Sequence, residues 1–358
     1  LSQKKYIQLS KNIKILNLSN YYQIKLSKQK YNSYNCEIRS ALKKKFKHIN
    51  NFEKFYFNIL IDDLPIVILE NFSDTLSKSI YKYNFKNTKY VLTSQSHFTD
   101  TCFKFSLANH KNKPDSKFYI IQHGGSYFYN NVDTHLFWEK KISDIFFSWG
   151  KLEVDNKVKF LGTNRIKDFT NNPNFILIIL DGIHRNYSSY VTPDSDHMLE
   201  YLDEISHLVI NLEKKYKVIV RPPPHPPQNN FYKQYLFKKN KNIKFDFNKD
   251  PYRSFKNSEL VISCTFATSA LEVMSNNVPT TIYIPKKMNF YDLNKLRPLV
   301  ENNIFFEDKH MLINRLLNND FNTHNWWFSE QVQSAVKNFN INYCDKNSNL
   351  LDEFKKYI

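Results

Sequence analysis

Glycine is almost missing from this chain, with five among 358 residues. Cysteine is scarce too: Cys36, Cys102, Cys264 and Cys344 lie far apart and form no CxxC pair. That spacing argues against a disulfide scaffold or a cysteine-ligated zinc site, and fits a reducing compartment. The longest clean apolar run, Phe175-Ile-Leu-Ile-Ile-Leu180, is the length of a strand. A membrane-spanning helix needs roughly 20 apolar residues, so none is expected. There is no Walker A, GxGxxG or GxSxG pattern, which argues against P-loop, nicotinamide-dependent and α/β-hydrolase chemistry. HxxxH and HExxH are also missing, and no metal site is expected. Without a helix-turn-helix or a basic-aromatic motif, nucleic acid is not an expected partner. Acidic residues are the rarer charge, 34 against 51 Lys and Arg, leaving a net +17.

What is present is an ordinary globular composition, 41% hydrophobic and 24% charged, which excludes wholesale disorder. At about 150 residues per domain, the length suggests two domains. The abundant Lys, Asn, Ile, Phe and Tyr are residues of AT-rich codons, so part of the positive charge is compositional. The rest suits anionic ligands such as nucleotide phosphates, acidic glycans or a lipid surface. The chain starts at Leu1 rather than Met, and a segment or domain ahead of it is expected.

Strand-like runs alternate with helical ones. The first sixty residues predict a short strand at Ile13–Leu18 and helices around 36–60. Strands are then predicted at Leu64–Leu69, Tyr90–Thr93, Phe118–Gln122 and Asp144–Trp149, with helices at Phe72–Tyr83 and Thr99–His110. The polar stretch Asn164–Asn174 reads as a linker. A second series follows, with strands at Phe175–Leu180, Lys217–Arg221, Ile243–Phe247, Leu260–Cys264 and Thr280–Ile284. Its helices are expected at about Ser195–Tyr216, Pro251–Asn257 and Thr268–Ser275, and helices again from Asp308. Alternation of this kind predicts βαβ units and parallel sheets. The expected class is α/β with two Rossmann-like domains facing a cleft. Residues 1–165 would form the acceptor side, 166–310 the donor side, and 311–358 helices that pack back.

All five glycines fall between 124 and 182, mostly just after strand runs. Strand exits of open α/β sheets are where ligands bind, so that window is a candidate site. Gln122-His123-Gly124-Gly125 leaves an imidazole and neighbouring N–H groups open to a ligand, with Glu139 and Asp144 placed to frame the same cleft. Asp181-Gly182-Ile-His-Arg185 closes the most apolar strand; Asp181 could act as base or nucleophile and Arg185 could pair a phosphate, or the Asp-Gly could be a plain turn. Arg221-Pro-Pro-Pro-His225-Pro226 is a stiff loop that presents a guanidinium and an imidazole. Thr265, Thr268 and Ser269 put three hydroxyls at a strand-to-helix exit, which suits a phosphate, although capping alone would also account for them. Glu272, one turn on, could meet a ribose hydroxyl or be a surface charge.

These blocks taken together, Gln122-His-Gly-Gly through Ser148-Trp-Gly150, Arg221…His225-Pro226 and Thr265…Thr268-Ser-Ala-Leu-Glu272…Asn277-Val-Pro-Thr280, resemble bacterial surface-carbohydrate transferases for O-antigen and capsule. The likeness is to the Kdo and nonulosonic-acid transferases and covers about residues 118–285. It implies a GT-B architecture and a metal-independent glycosyltransferase with no cofactor. The donor would be a CMP-activated acidic sugar, and the acceptor a surface glycan or lipid-linked glycan. By that resemblance His225 and the hydroxyl-rich helix start would hold the donor phosphate. Asp181, His123 and Glu139 are the catalytic candidates; the motifs do not fix the carboxylate, and Asp144 stays open beside Asp181 and Glu139. The aromatic run Ser126-Tyr-Phe-Tyr and the triple proline before His225 depart from the pattern. A cytoplasmic location is expected, at the inner face of the membrane, with peripheral contact to anionic lipid. The alternatives are a CDP-glycerol-type polyol-phosphate transferase and a non-catalytic glycan- or nucleotide-binding module.

Overall fold

The computed structural model describes residues 33–45, 50–152, 155–163, 167–182, 197–223, 228–346 and 349–358. The strand expected at Ile13–Leu18 and the candidates Arg185, His225 and Pro226 lie outside them. Two compact units divide the chain at Ile121 and Gln122.

In the first unit, α1 (Cys36–Lys44) and α2 (Asn51–Asp63) each start at an asparagine whose side chain accepts first-turn N–H groups. Buried Arg39 ties them together, pairing with Glu70 at 2.7 Å and donating to the Asp62 and Leu64 carbonyls at 2.9 and 2.8 Å. Then come α3 (Phe72–Lys82), β1 (Tyr90–Thr93), α4 (Ser96–Thr99), α5 (Thr101–Lys111, capped by Asp100) and β2 (Lys117–Ile121). Strands β1 and β2 pair in parallel, Tyr90 opposite Lys117 through Thr93 opposite Ile120. The expected strand at Leu64–Leu69 is instead a turn. Pro65 supplies no N–H for a ladder, and its carbonyl accepts the Ile68 and Leu69 amides at 2.8 and 3.3 Å.

The second unit opens with α6 (Thr134–Ile142), β3 (Ile145–Ser148) and β4 (Val158–Phe160), the two strands parallel. It continues through β5 (Phe175–Ile179), α7 (Met198–Leu212), β6 (Val218–Arg221), α8 (Gln228–Lys239), α9 (Tyr252–Phe255), β7 (Ser258–Ser263), α10 (Thr268–Met274) and β8 (Thr280–Tyr283). The remaining elements are α11 (Arg297–Glu301), β9 (Phe305–Phe306), α12 (Lys309–Leu317), α13 (Thr323–Trp327), α14 (Glu330–Tyr343) and α15 (Leu350–Lys355). The five-stranded sheet runs β6-β5-β7-β8-β9, every pairing parallel. The α/β class with parallel sheets is as the alternation predicted.

Both faces of this sheet are covered, which explains its unbroken apolar strands. Ile176 and Ile178 pack with Leu202, Ile205, Val209 and Leu236 from α7 and α8, while Leu177 and Ile179 pack on the other side with Phe255, Val273 and Val278. Each such side chain removed from water contributes about 1.5–3 kcal/mol. The strand expected at Ile243–Phe247 is reduced to one bridge, Val220 to Phe245. There the chain leaves the ladder because the Asp246 carboxylate turns to the Arg221 guanidinium and the Asn248 N–H.

The last helices lie along the end of β3. Lys151 N–H donates to the Ile341 carbonyl at 2.9 Å, and Asp345 N–H to that of Trp149 at 2.9 Å. A Cβ on Gly150 would overlap the Asn342 carbonyl, so only glycine fits beneath the end of α14. The Phe354 and Tyr357 rings meet Phe147 edge-on at 5.4 and 5.3 Å. Among the described residues no helix is long and apolar enough to cross a membrane.

Candidate functional site

The loop 122–131 is built by its own side chains. Buried Gln122 donates from Nε2 to the Gly124 carbonyl at 2.8 Å, and its Oε1 accepts the Trp149 amide at 2.9 Å. It is therefore a brace that shapes the turn. Gly125 serves close approach: its N–H donates to Thr268 Oγ1 at 2.9 Å, and an added Cβ would sit 2.7 Å from the backbone of Ala267 and Thr268. Ser126 Oγ and Tyr129 Oη both donate to the Phe266 carbonyl, at 2.8 and 3.0 Å. Asn131 N–H donates to the Phe290 carbonyl at 2.9 Å. The loop is thus fastened to the exits of β7 and β8.

Within the loop His123 meets Tyr127 and Glu139. Tyr127 Oη lies 2.7 Å from His123 Nδ1, and Glu139 Oε1 lies 3.8 Å from the same nitrogen. Tyr127 also hydrogen-bonds the Glu139 carboxylate; burial and that neighbour push its hydroxyl well above the usual tyrosine range. Asp144 stands between the helix that carries Glu139 and β3, whose Phe147 carbonyl accepts the Gln122 N–H at 2.9 Å.

Asp181 stands just past β5, in a small cleft with Tyr201, Cys264, Ile284, Met288, Phe290 and Tyr291 around it. Strands β5, β7 and β8 end beside this cleft, at Asp181, Cys264 and Ile284, as strands do at ligand sites of open parallel sheets. Two tyrosines fix the Asp181 backbone: its N–H donates to Tyr201 Oη at 3.0 Å, and Tyr232 Oη donates to its carbonyl at 2.5 Å. Burial raises its carboxyl to about 7, partly offset by the Gly182 N–H at 2.7 Å and the Thr265 hydroxyl. A carboxyl titrating there can accept a proton near neutral pH.

Arg221 is not open to a ligand. Its buried guanidinium pairs with Asp246 and donates to the Asn248 carbonyl at 2.8 Å. Although burial pushes the Asp246 carboxyl upward, Ser254, the Asn248 N–H and Arg221 together hold it below its usual value. Thr265 is buried beside Asp181, the Thr268 hydroxyl receives Gly125, and Ser269 is half-buried on the first turn of α10. Glu272 is buried rather than a surface charge. The structure therefore gathers Gln122, His123, Gly124, Gly125 and Glu139 into one loop cluster. That cluster is fastened to the Thr265–Ser269 turn beside Asp181, while Arg221 is engaged with Asp246. Sequence reading missed Tyr127, Tyr201, Tyr232 and Tyr291. Only Tyr127 left a trace there, as part of the aromatic run after the glycine pair. Among the described residues no group of three or more His, Cys, Asp and Glu side chains could hold a metal ion.

No curated protein matches the sequence. Among solved structures the chain is similar to MurG of Acinetobacter baumannii, with 11% identity over 78% of this chain and 76% of that one, TM-score 0.44. It is also similar to a glycosyltransferase of Rickettsia africae, with 14% identity over 82% of each chain, TM-score 0.43. A third is S. aureus MnaA with UDP, with 14% identity over 77% of this chain and 82% of that one, TM-score 0.46. Likeness at that level carries no conclusion about this chain, whose fold rests on the sheets described above. A family model, however, matches residues 1–358 throughout, and the chain belongs to the LIC12162 family of transferases.

Proposed function

We propose that this transferase is a glycosyltransferase of GT-B type that moves an acidic sugar from a CMP-activated donor to a bacterial surface glycan. The observation that carries the reading is Asp181: a carboxyl raised to about 7 at the strand exits of a parallel sheet. In this account the acceptor hydroxyl gives its proton to the Asp181 carboxylate as its oxygen attacks the anomeric carbon. The bond from that carbon to the donor phosphate breaks, and CMP departs with the electron pair. Hydroxyls of the Thr265–Ser269 turn, the imidazole of His123 and, by the resemblance, the imidazole of His225, set in a stiff loop by Pro226, take up the charge on the phosphate. Arg221 has a different part, holding the end of β6 through Asp246. The donor lies against residues 166–310, and residues 1–165 serve the acceptor. The net +17 suits an anionic donor and a lipid-linked acceptor at an anionic membrane surface.

The test is turnover of CMP-Kdo and CMP-nonulosonates by the purified chain without added metal. Sugar transfer or donor hydrolysis should rise with pH through about 7 and fall roughly 100-fold or more in Asp181→Asn. Undiminished turnover in that variant would remove Asp181 from the mechanism.

A further inference from the structure

We infer that the outer face of α2 is a membrane-docking surface, which seats the chain on a bilayer containing anionic phospholipid. The inference deepens the membrane contact of the function proposed above and rests on that reading for its purpose; lipid binding itself needs no CMP-sugar. Helix α2, Asn51–Asp63, has Ile61 as its buried residue, and Phe57, one turn earlier on the same side, is half-buried. On the opposite side Phe52, Phe55, Tyr56, Ile59 and Leu60 each keep between 39 and 76% of their surface exposed. Their spacing of three and four residues aligns them in one stripe about 12 Å long. Helices of globular proteins turn such a stripe inward, and a contiguous exposed one marks an interaction surface. The stripe stops at Asp63, on the same side at the last position of the helix.

The charge in this part of the chain selects the occupant. Residues 1–50 contain twelve Lys and Arg against one acidic residue, Glu37, a net +11 of the chain's +17. Lys44 and Lys45 at the end of α1 are exposed, as is Lys54 within α2. The Asp62 carboxylate, at the far end of α2, already has Lys43 at 2.6 Å and the Tyr34 hydroxyl at 3.1 Å as partners. An apolar helix face accompanied by lysines is the form that lies in the interface of an anionic membrane. Aromatic rings suit that depth, since a phenylalanine needs no polar partner and Tyr56 can keep its hydroxyl toward the headgroups. A second copy of the chain is a poorer occupant, because two surfaces with the same excess of positive charge would meet there.

Co-sedimentation of the intact chain with phospholipid vesicles tests the inference. Vesicles of mixed phosphatidylcholine and phosphatidylglycerol should capture the chain, less so as salt is raised, and phosphatidylcholine alone should capture far less. Phe55→Ser should weaken binding about 10-fold, and Phe52→Ser, Phe55→Ser and Ile59→Ser combined about 100-fold or more. Because these side chains are exposed, circular dichroism and melting of both variants should match the unaltered chain. Lys44→Glu with Lys45→Glu should weaken binding to the mixed vesicles about 10-fold. Capture that survives the triple substitution but not salt would assign lipid binding to the basic residues alone and overturn the role of α2. No capture of the unaltered chain, or a lipid-free dimer that the triple substitution splits, would overturn it as well. The vesicles carry no glycan, so the two readings fail separately. Capture without CMP-sugar turnover leaves the docking surface standing and the donor reading failed, and turnover without capture does the reverse.

Discussion

At the scale of single residues, two charged side chains on neighbouring strand ends have opposite fates. Asp181 is raised to about 7, so below the ordinary carboxylate value it is protonated in both folded and unfolded chain and has no effect on stability. As pH climbs toward 7 the unfolded chain ionises first and the folded state loses ground, by a few kcal/mol once both are ionised. Asp181→Asn should therefore melt higher than the unaltered chain at pH 8, with the gap closing below about pH 3. A gap that does not widen with pH would show that the carboxyl is not buried in its neutral form. Arg221 behaves conversely: its pair with Asp246 is closed to solvent, and Arg221→Met strands a buried carboxylate, with an expected loss of about 3–5 kcal/mol in urea unfolding. A loss under about 1 kcal/mol would free Arg221 for the phosphate role that its position at the end of β6 first suggested. Nothing in Arg-Pro-Pro-Pro predicts this outcome, because Asp246 is 25 residues further on and meets Arg221 only through the fold.

At the scale of elements, the loop after the first Gln-His is where the glycine pair acts. Neither Gly124 nor Gly125 takes positive φ; Gly162 is the glycine that does among the described residues. Their value is closeness to α10, and Gly125→Ala should displace the loop or lower stability by about 1–3 kcal/mol, read in denaturant unfolding. An alanine variant with unaltered stability and an unaltered His123 environment would mean the contact is loose. Strands with continuous apolar runs were legible because burial on both faces leaves that imprint, as at Phe175–Ile179. Leu64–Leu69 has similar composition and still forms a turn, since Pro65 removes a donor where the ladder would need one. Helix α8 went unseen because its buried residues among those described, Tyr232 and Leu236, amount to a single pair one turn apart in a lysine- and asparagine-rich stretch.

At the scale of the whole molecule, the α/β class and the parallel order could be read from alternation alone, and the family match spans all 358 residues. The site was half legible. His123, Glu139, Asp181 and the Thr265–Ser269 turn sit at strand exits or beside the glycine pair, where sequence rules point. The tyrosines that orient them are spread from 127 to 291 and carry no local signature. Their placement follows from β5, β7 and β8 ending together, which no short window of sequence contains. The central claim is that this gathered cleft takes a cytidine nucleotide. Calorimetric titration of the purified chain with CMP, CDP, UDP and GDP, without added metal, tests it most directly. The account predicts that CMP binds in preference to the other three, with affinity weakened by salt as phosphate recognition by a basic protein requires. Binding of UDP or GDP with CMP silent, or no binding of any of them, would contradict it.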